Sequence, residues 1–182
     1  PVLMGVGLVK DIRNCTTSDM KRDGSIWLIG KTKEEMGASL YYRSIGKDCP
    51  NIPKTDFDSF IPRMEQLIQA IEQGEVVACH DISTGGIAVA VIEMCMSGVG
   101  ANIRLGKDMR ADVELFSESN GRWIVQVANG KEKGFARRFD YATRIGEVGK
   151  NIAFSKDNDV IAEFEIDELR SAWTRPVWDR LA

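Results

Sequence analysis

A layered α/β domain, with a mixed, largely antiparallel sheet and helices packed on it, is predicted by three features of the sequence. Short apolar runs of strand length, Ile26–Ile29 and Val76–Cys79 foremost, alternate with stretches whose apolar residues recur every three or four positions. Later segments, Arg122–Val127 and Val160–Ile166, mix apolar and polar side chains in the manner of strands with one face toward a core. With 182 residues, of which 43% are hydrophobic and 28% charged, the chain can bury a continuous core and is too apolar to stay disordered. The expected architecture is therefore α/β (α+β) layered rather than a bundle or barrel, forming one domain over residues 1–182 with no internal boundary.

The elements follow in order. Val2–Val9, interrupted by Gly5 and Gly7, and Ile26–Ile29, bounded by Gly24 and Gly30, both read as buried strands. Thr32 is placed to cap a helix with Glu34 and Glu35 in its first turn and Met36, Leu40 and Tyr41 on its apolar side, ended by Gly46. Cys49–Pro53 is a connector, because each proline removes a donor and biases the residue before it away from helix. Phe57, Phe60, Ile61, Met64, Leu67, Ile68 and Ile71 define the strongest helix, with Pro62 expected in its first turn and Gly74 as its stop. A second helix, Ile87–Met96, is apolar on nearly every side and should lie deep until Ser97-Gly98 breaks it.

Ala101–Leu105 is a further short strand, and the Asn120-Gly121 turn signal precedes the strand from Arg122. Lys131–Phe139 reads as helix, while Thr143–Val148, Ile152–Phe154 and Val160–Ile166 read as the strands that close the sheet. Asp167 should cap a last helix carrying Leu169, Ala172 and Trp173, and Pro176 should kink or end it.

Charge and composition exclude several function classes. Lysine and arginine number 24 against 27 acidic residues, so a net charge of −3 offers no global field to draw nucleic acid or anionic lipid. A phosphate-bearing ligand would need a local site. No apolar run reaches the roughly 20 residues that span a bilayer, and the start at Pro1-Val2-Leu3 carries no initiator methionine or leader pattern, so a piece of a longer protein is expected. The scattered cysteines Cys15, Cys49, Cys79 and Cys95 have only His80 to join them at a metal, which disfavours zinc and suits a reduced, cytoplasmic setting. Cys79 and Cys95 lie in apolar runs and should be inert.

Gly30-Lys31-Thr32 imitates the end of a P-loop, but the earlier glycine that motif needs falls at Ser25, and the intervening residues are an apolar strand. His80-Asp81-Ile82-Ser83-Thr84-Gly85-Gly86 differs, because a buried strand delivers a polar cluster to a glycine pair opening a helix. Glycines let a phosphate approach the backbone, free amides and the helix dipole favour an anion, and Ser83 or Thr84 adds a hydroxyl. Asp81 could hold Mg2+ bridging to such a phosphate. The competing reading is a helix capped by Asp81 or Ser83 with His80 packed in the core. Phe116-Ser117-Glu118-Ser119-Asn120-Gly121 gathers groups able to grip a ribose or phosphate, and equally makes a polar turn. Lys131, Lys133, Arg137 and Arg138 read as a solvated helix face.

Taken together, Gly5-Val6-Gly7-Leu8-Val9 with Asp11, the Ile26–Gly30 strand, His80–Ala90 and Phe116–Ser119 resemble, in order and spacing, the synthetase subunit II of phosphoribosylformylglycinamidine synthase. The likeness is to its last domain, the C-terminal module of the aminoimidazole ribonucleotide synthetase superfamily, and covers essentially the whole chain. It implies an ATP-dependent carbon–nitrogen ligase of purine biosynthesis. There, ATP activates a formylglycinamide carbonyl oxygen, and ammonia derived from glutamine displaces the phosphate.

The family's catalytic histidine and most substrate contacts belong to preceding domains, so the chain alone is expected to be inactive. The resemblance carries Asp81 over as a magnesium ligand and Ser83, Gly85 and Gly86 as nucleotide- or phosphate-binding residues. Glu118 and Ser119 match a substrate-contacting motif whose counterpart in this last domain borders an auxiliary nucleotide site. Thr84 departs from the family's usual aspartate, removing one carboxylate from the expected metal set. The implied cofactors are ATP or ADP and Mg2+. The implied partners are the synthetase's own N-terminal domains and a glutaminase, with no nucleic acid and no membrane. Rival readings are a thiamine monophosphate kinase-like or cyclo-ligase relative, and a noncatalytic interaction domain.

Overall fold

A computed structural model describes residues 2, 4–9 and 11–181, with side chains to Arg175. Among the described residues the strands are β1 (Ser25–Ile29), β2 (Val76–Asp81), β3 (Gly100–Arg104), β4 (Trp123–Val127), β5 (Ala142–Gly149), β6 (Ile152–Lys156) and β7 (Asp159–Phe164). They form one sheet in the order β2-β4-β1-β5-β3-β6-β7. Every neighbouring pair is antiparallel except β3 with β6, so the expected mixed, largely antiparallel sheet is found. The helices are α1 (Leu40–Ser44), α2 (Phe57–Glu72), α3 (Gly86–Cys95), α4 (Ala111–Phe116), α5 (Glu132–Arg138) and α6 (Ile166–Leu181).

The pleat divides the core in two. Ile26 and Leu28 of β1 face one side, where they pack with Ile124, Ile103, Ile145 and the buried face of α3 (Ile87, Val91, Met94). Trp27 and Ile29 face the other side with Val125, Val127, Leu67 of α2 and Phe135 of α5. Both faces of β1 are thus covered, which is why its sequence is a continuous apolar run rather than an alternation. Helix α3, enclosed by the first cluster, is apolar nearly all round for the same reason.

Helix α2 starts from Asp56, whose carboxylate accepts from the amide and hydroxyl of Ser59 and is held below the usual carboxylate range chiefly by that hydroxyl. It ends at Gln73, and Gly74 follows with φ +64.

Several expectations are corrected. Val2, Met4, Val6 and Leu8 are exposed and in no strand, because no strand among the described residues pairs with them; Pro1, Leu3 and Lys10 lie outside the described residues. Thr32 caps no helix: residues 32–39 form a loop, and α1 begins at Leu40 behind its cap Ser39. Hydrogen bonds from the 117–122 segment hold that loop, and they outweigh a weak helical pattern. Pro62 falls in the second turn of α2, which begins at Phe57. Helix α2 buries Leu67 and Ala70 but leaves Phe57, Ile61, Met64 and Ile68 exposed. Helix α6 begins at Ile166, putting Asp167 inside the first turn, and continues past Pro176 to Leu181, since a proline removes only one ladder bond when its neighbours persist. Helix α4 was not foreseen.

The thiols divide by burial. Cys95 is fully buried and Cys79 partly so, and burial pushes both thiols up to about 12, with the Asp81 charge adding to the effect at Cys79. Cys15 is exposed. In a brief treatment of the native protein with iodoacetamide, mass spectrometry is expected to find Cys15 alkylated well before Cys79 and Cys95, which react only on denaturation.

Candidate functional site

Antiparallel pairing brings the end of β2, the start of β4 and the end of β1 to one edge of the sheet, with Asp81 opposite Trp123 and Ile29 opposite Trp123 on its other side. The hinge between β2 and α3 and the Ser117–Arg122 segment meet at this edge. Ile82 is buried and its amide donates to the Arg122 carbonyl at 3.0 Å, while Ser83 and Thr84 turn out to solvent. Gly85 and Gly86 then open α3 with φ of +84 and +67. Glycine is needed at Gly86 for a second reason: a Cβ there would lie 2.5 Å from the Leu115 carbonyl oxygen and 2.7 Å from that of Ser117.

The amide expected to await an anion already has one. Gly85 N–H donates to Glu118 Oε1 at 2.9 Å, and the same oxygen accepts from the Leu40 amide at 2.8 Å. One carboxylate therefore caps the first residue of α1 and the cap residue of α3, neither of which it adjoins in sequence. Tyr41 stacks on Phe116 with ring centroids 4.4 Å apart, fixing α1 against the end of α4.

The segment carrying Glu118 is pinned from beneath by Arg122. Arg122 is 1% exposed, and its guanidinium donates to the carbonyls of Ser119 (2.8 Å) and Ser117 (2.6 Å) and to the Thr32 hydroxyl (2.9 Å). Burial lowers it to about 10, opposed by the charges of Glu35 and Glu118, so it stays cationic at neutral pH. Ser117 and Ser119 are buried, 3.0 Å apart, and both bond the backbone of Lys33. Glu35, also buried, keeps one oxygen without a donor.

The candidate residues thus fall into two groups. Gly85, Gly86, Glu118 and Ser119 come together in one hydrogen-bonded knot, whereas Asp81 and Ser83 stand beside it at the solvent edge. The Asp81 carboxylate, 69% exposed, lies 3.6 Å from His80 Nδ1. His80 is not simply a packed core residue: Nδ1 is 2.7 Å from the Asp81 carbonyl oxygen, and Nε2 is 3.3 Å from Glu93 of α3. Among the described residues no three His, Cys, Asp or Glu side chains gather as a metal cluster. From this chain Asp81 would therefore be a lone carboxylate ligand, a number compatible with magnesium completed by phosphate oxygens and water.

Sequence reasoning passed over Arg122, Leu40 and Glu93. Arg122 carried one signal, a charge directly heading an apolar strand.

Residues 25–155 match the family model described as AIR synthase related protein, C-terminal domain. The chain belongs to this family. Over 96% of its length this AIR synthase related domain is 36% identical to the phosphoribosylformylglycinamidine synthase subunit PurL of Methanothrix thermoacetophila, of which it spans 24%. Its fold matches T. maritima PurL complexed with FGAR at a TM-score of 0.72, with 22% identity, covering 87% of this chain and 30% of that one. T. maritima PurL complexed with ATP matches at 0.67, with 20% identity, over 87% of this chain and 27% of that one. No helix among the described residues is long and apolar enough to cross a membrane.

Proposed function

We propose that the chain is the C-terminal domain of an ATP-dependent phosphoribosylformylglycinamidine synthase, a cytoplasmic ligase of purine biosynthesis, and is inactive without the rest of that enzyme. The observation that carries this reading is identity of 36% along 96% of the chain to a PurL subunit about four times as long, at 24% coverage. The remaining length supplies the N-terminal domains that complete the synthetase, and a glutaminase supplies its ammonia. In this reading ATP activates the formylglycinamide oxygen and ammonia displaces the phosphate. The relative complexed with ATP supports the nucleotide assignment.

Within this chain the domain builds architecture and one wall of an auxiliary nucleotide site. Asp81 and Ser83, exposed where the hinge meets solvent, make the ligand contacts, Asp81 through Mg2+ and Ser83 through its hydroxyl. Gly85 and Gly86 allow close approach of the backbone, and Glu118 and Ser119 shape the wall beside it. In calorimetric titrations of the full-length protein with ADP and Mg2+, Asp81→Asn and Ser83→Ala are each expected to weaken one binding event by roughly tenfold, the loss of a charge-assisted contact. Unchanged affinity and stoichiometry in both variants would remove the hinge from the ligand.

One observation favours a second, purely architectural reading: Glu118 already satisfies the Gly85 amide, as a cap would. The same titration decides between them.

A further inference from the structure

With the hinge amide taken by Glu118, unspent positive charge on this edge lies next to the Ser117–Gly121 segment. A cavity of about 180 Å³ is lined by Lys31 and Lys33 after β1, Lys54 before α2, Arg63 of α2, and the Asn120-Gly121 turn. Four cations from three separate stretches converge there in a chain whose net charge is −3. Asp56, its one lining acid, is engaged by the Ser59 amide and hydroxyl. Glu35 lies behind, 3.9 Å from the Lys33 ammonium and accepting from the Lys54 amide. The ammonium groups of Lys31 and Lys54 make no ion pair or hydrogen bond among the described residues.

The pocket is too small for a whole ligand, but it is not isolated. Lys31 also lines a cleft of about 580 Å³, a volume in the range of small-molecule sites. Arg63 lies 5.0 Å over the ring of Tyr141, which lines that cleft. The cleft pairs apolar walls from Leu105, Met109 and Ile145 with charges of both signs, including Arg104, Asp108 and Glu114. One oxygen of Glu114 has no hydrogen-bond donor.

We infer that the two cavities form one site for a phosphorylated sugar or nucleotide, its phosphate monoester among Lys31, Lys33, Lys54 and Arg63 and its hydroxyl-bearing body in the cleft beside Tyr141. Cations of this kind hold a dianion as point charges and a guanidinium fork. The mixed polarity of the cleft suits hydroxyls rather than a hydrocarbon tail. This site is separate from the Asp81–Ser83 hinge and stands or falls apart from it.

Lysine footprinting of the full-length protein tests this locally. Brief acetylation with acetic anhydride, read by peptide mass spectrometry, is run with ribose 5-phosphate, inorganic phosphate or ribose as the probe. Ribose 5-phosphate is expected to reduce labelling of Lys31 and Lys54 by more than threefold, to protect better than inorganic phosphate, and to leave the distant Lys150 unchanged; ribose should not protect. Arg63→Met should abolish protection, Asp56→Asn, which keeps the helix cap, should strengthen it, and Asp81→Asn should leave it intact. Equal labelling of Lys31 and Lys54 with and without ribose 5-phosphate overturns the site. Equal protection by ribose overturns the phosphate assignment, and equal protection by inorganic phosphate overturns the place of the body in the cleft. Loss of protection in Asp81→Asn would merge the site with the hinge and overturn its independence.

Discussion

Arg122→Met is expected to lower the free energy of unfolding by about 3–5 kcal/mol, the range found when one partner of a buried charged network is removed. Methionine fills much of the same volume, so the loss measures polar contacts rather than a cavity. Three hydrogen bonds disappear at once, leaving the carbonyls of Ser117 and Ser119 buried without that donor, and the Thr32 hydroxyl without its bond from the guanidinium. Glu35 and Glu118, whose charges act on Arg122, then both lose that cation. Arg122→Lys keeps the charge but cannot reach three acceptors in a planar fork, so it should fall between wild type and methionine. Urea unfolding with an unchanged slope reads the effect directly. A methionine variant within 1 kcal/mol of wild type would mean that the segment is held by packing alone, and that Glu118 owes nothing to Arg122 for its position.

The contrast between what the sequence revealed and what it hid follows from the reach of each interaction. Strand β1 was legible because four successive apolar residues between glycines leave little alternative to a strand buried on both faces. Helices α2 and α3 announced themselves by periodicity, and the Gly85-Gly86 hinge by its glycines. The occupant of the hinge was not legible, because Glu118 lies 33 residues from the amide it accepts from, and nothing local to either marks the pairing. The Thr32 loop failed for the same reason: its helical signals are real but weak, and hydrogen bonds from Ser117, Ser119 and Arg122, more than 80 residues on, decide its shape. Val2–Val9 shows the converse case. Its apolar pattern is that of a strand, yet Val2 and Leu8 are 97% and 100% exposed, because a strand requires a neighbour and no strand among the described residues supplies one. Asp81 and Ser83 were singled out for residue type and do reach the solvent edge, while Ser119, singled out on the same grounds, is buried on the backbone of Lys33.

Gly86→Ala is expected to cost about 2–5 kcal/mol, the sum of two separable terms. The first is conformational: an L residue at φ +67 sits in the left-handed region at a cost of roughly 1–2 kcal/mol. The second is steric. A Cβ at this position meets backbone, not flexible side chain, at 2.5 Å from the Leu115 oxygen and 2.8 Å from the Phe116 Cα, so α3 and the end of α4 must part, typically adding 1–3 kcal/mol. Gly74→Ala isolates the first term, since Gly74 has φ +64 and nothing within 4 Å of an added Cβ. If the two variants cost the same in urea unfolding, the close approach of α3 to α4 is wrong. The steric term also has a consequence beyond stability. Moving the Ser117 carbonyl away from Gly86 moves an acceptor of Arg122 and, one residue on, the carboxylate that caps Gly85 and Leu40. Amide hydrogen exchange at Gly85 and Leu40 should therefore quicken in Gly86→Ala and remain at the wild-type rate in Gly74→Ala, because only the first of these glycines lies in the chain of contacts that holds Glu118 in place.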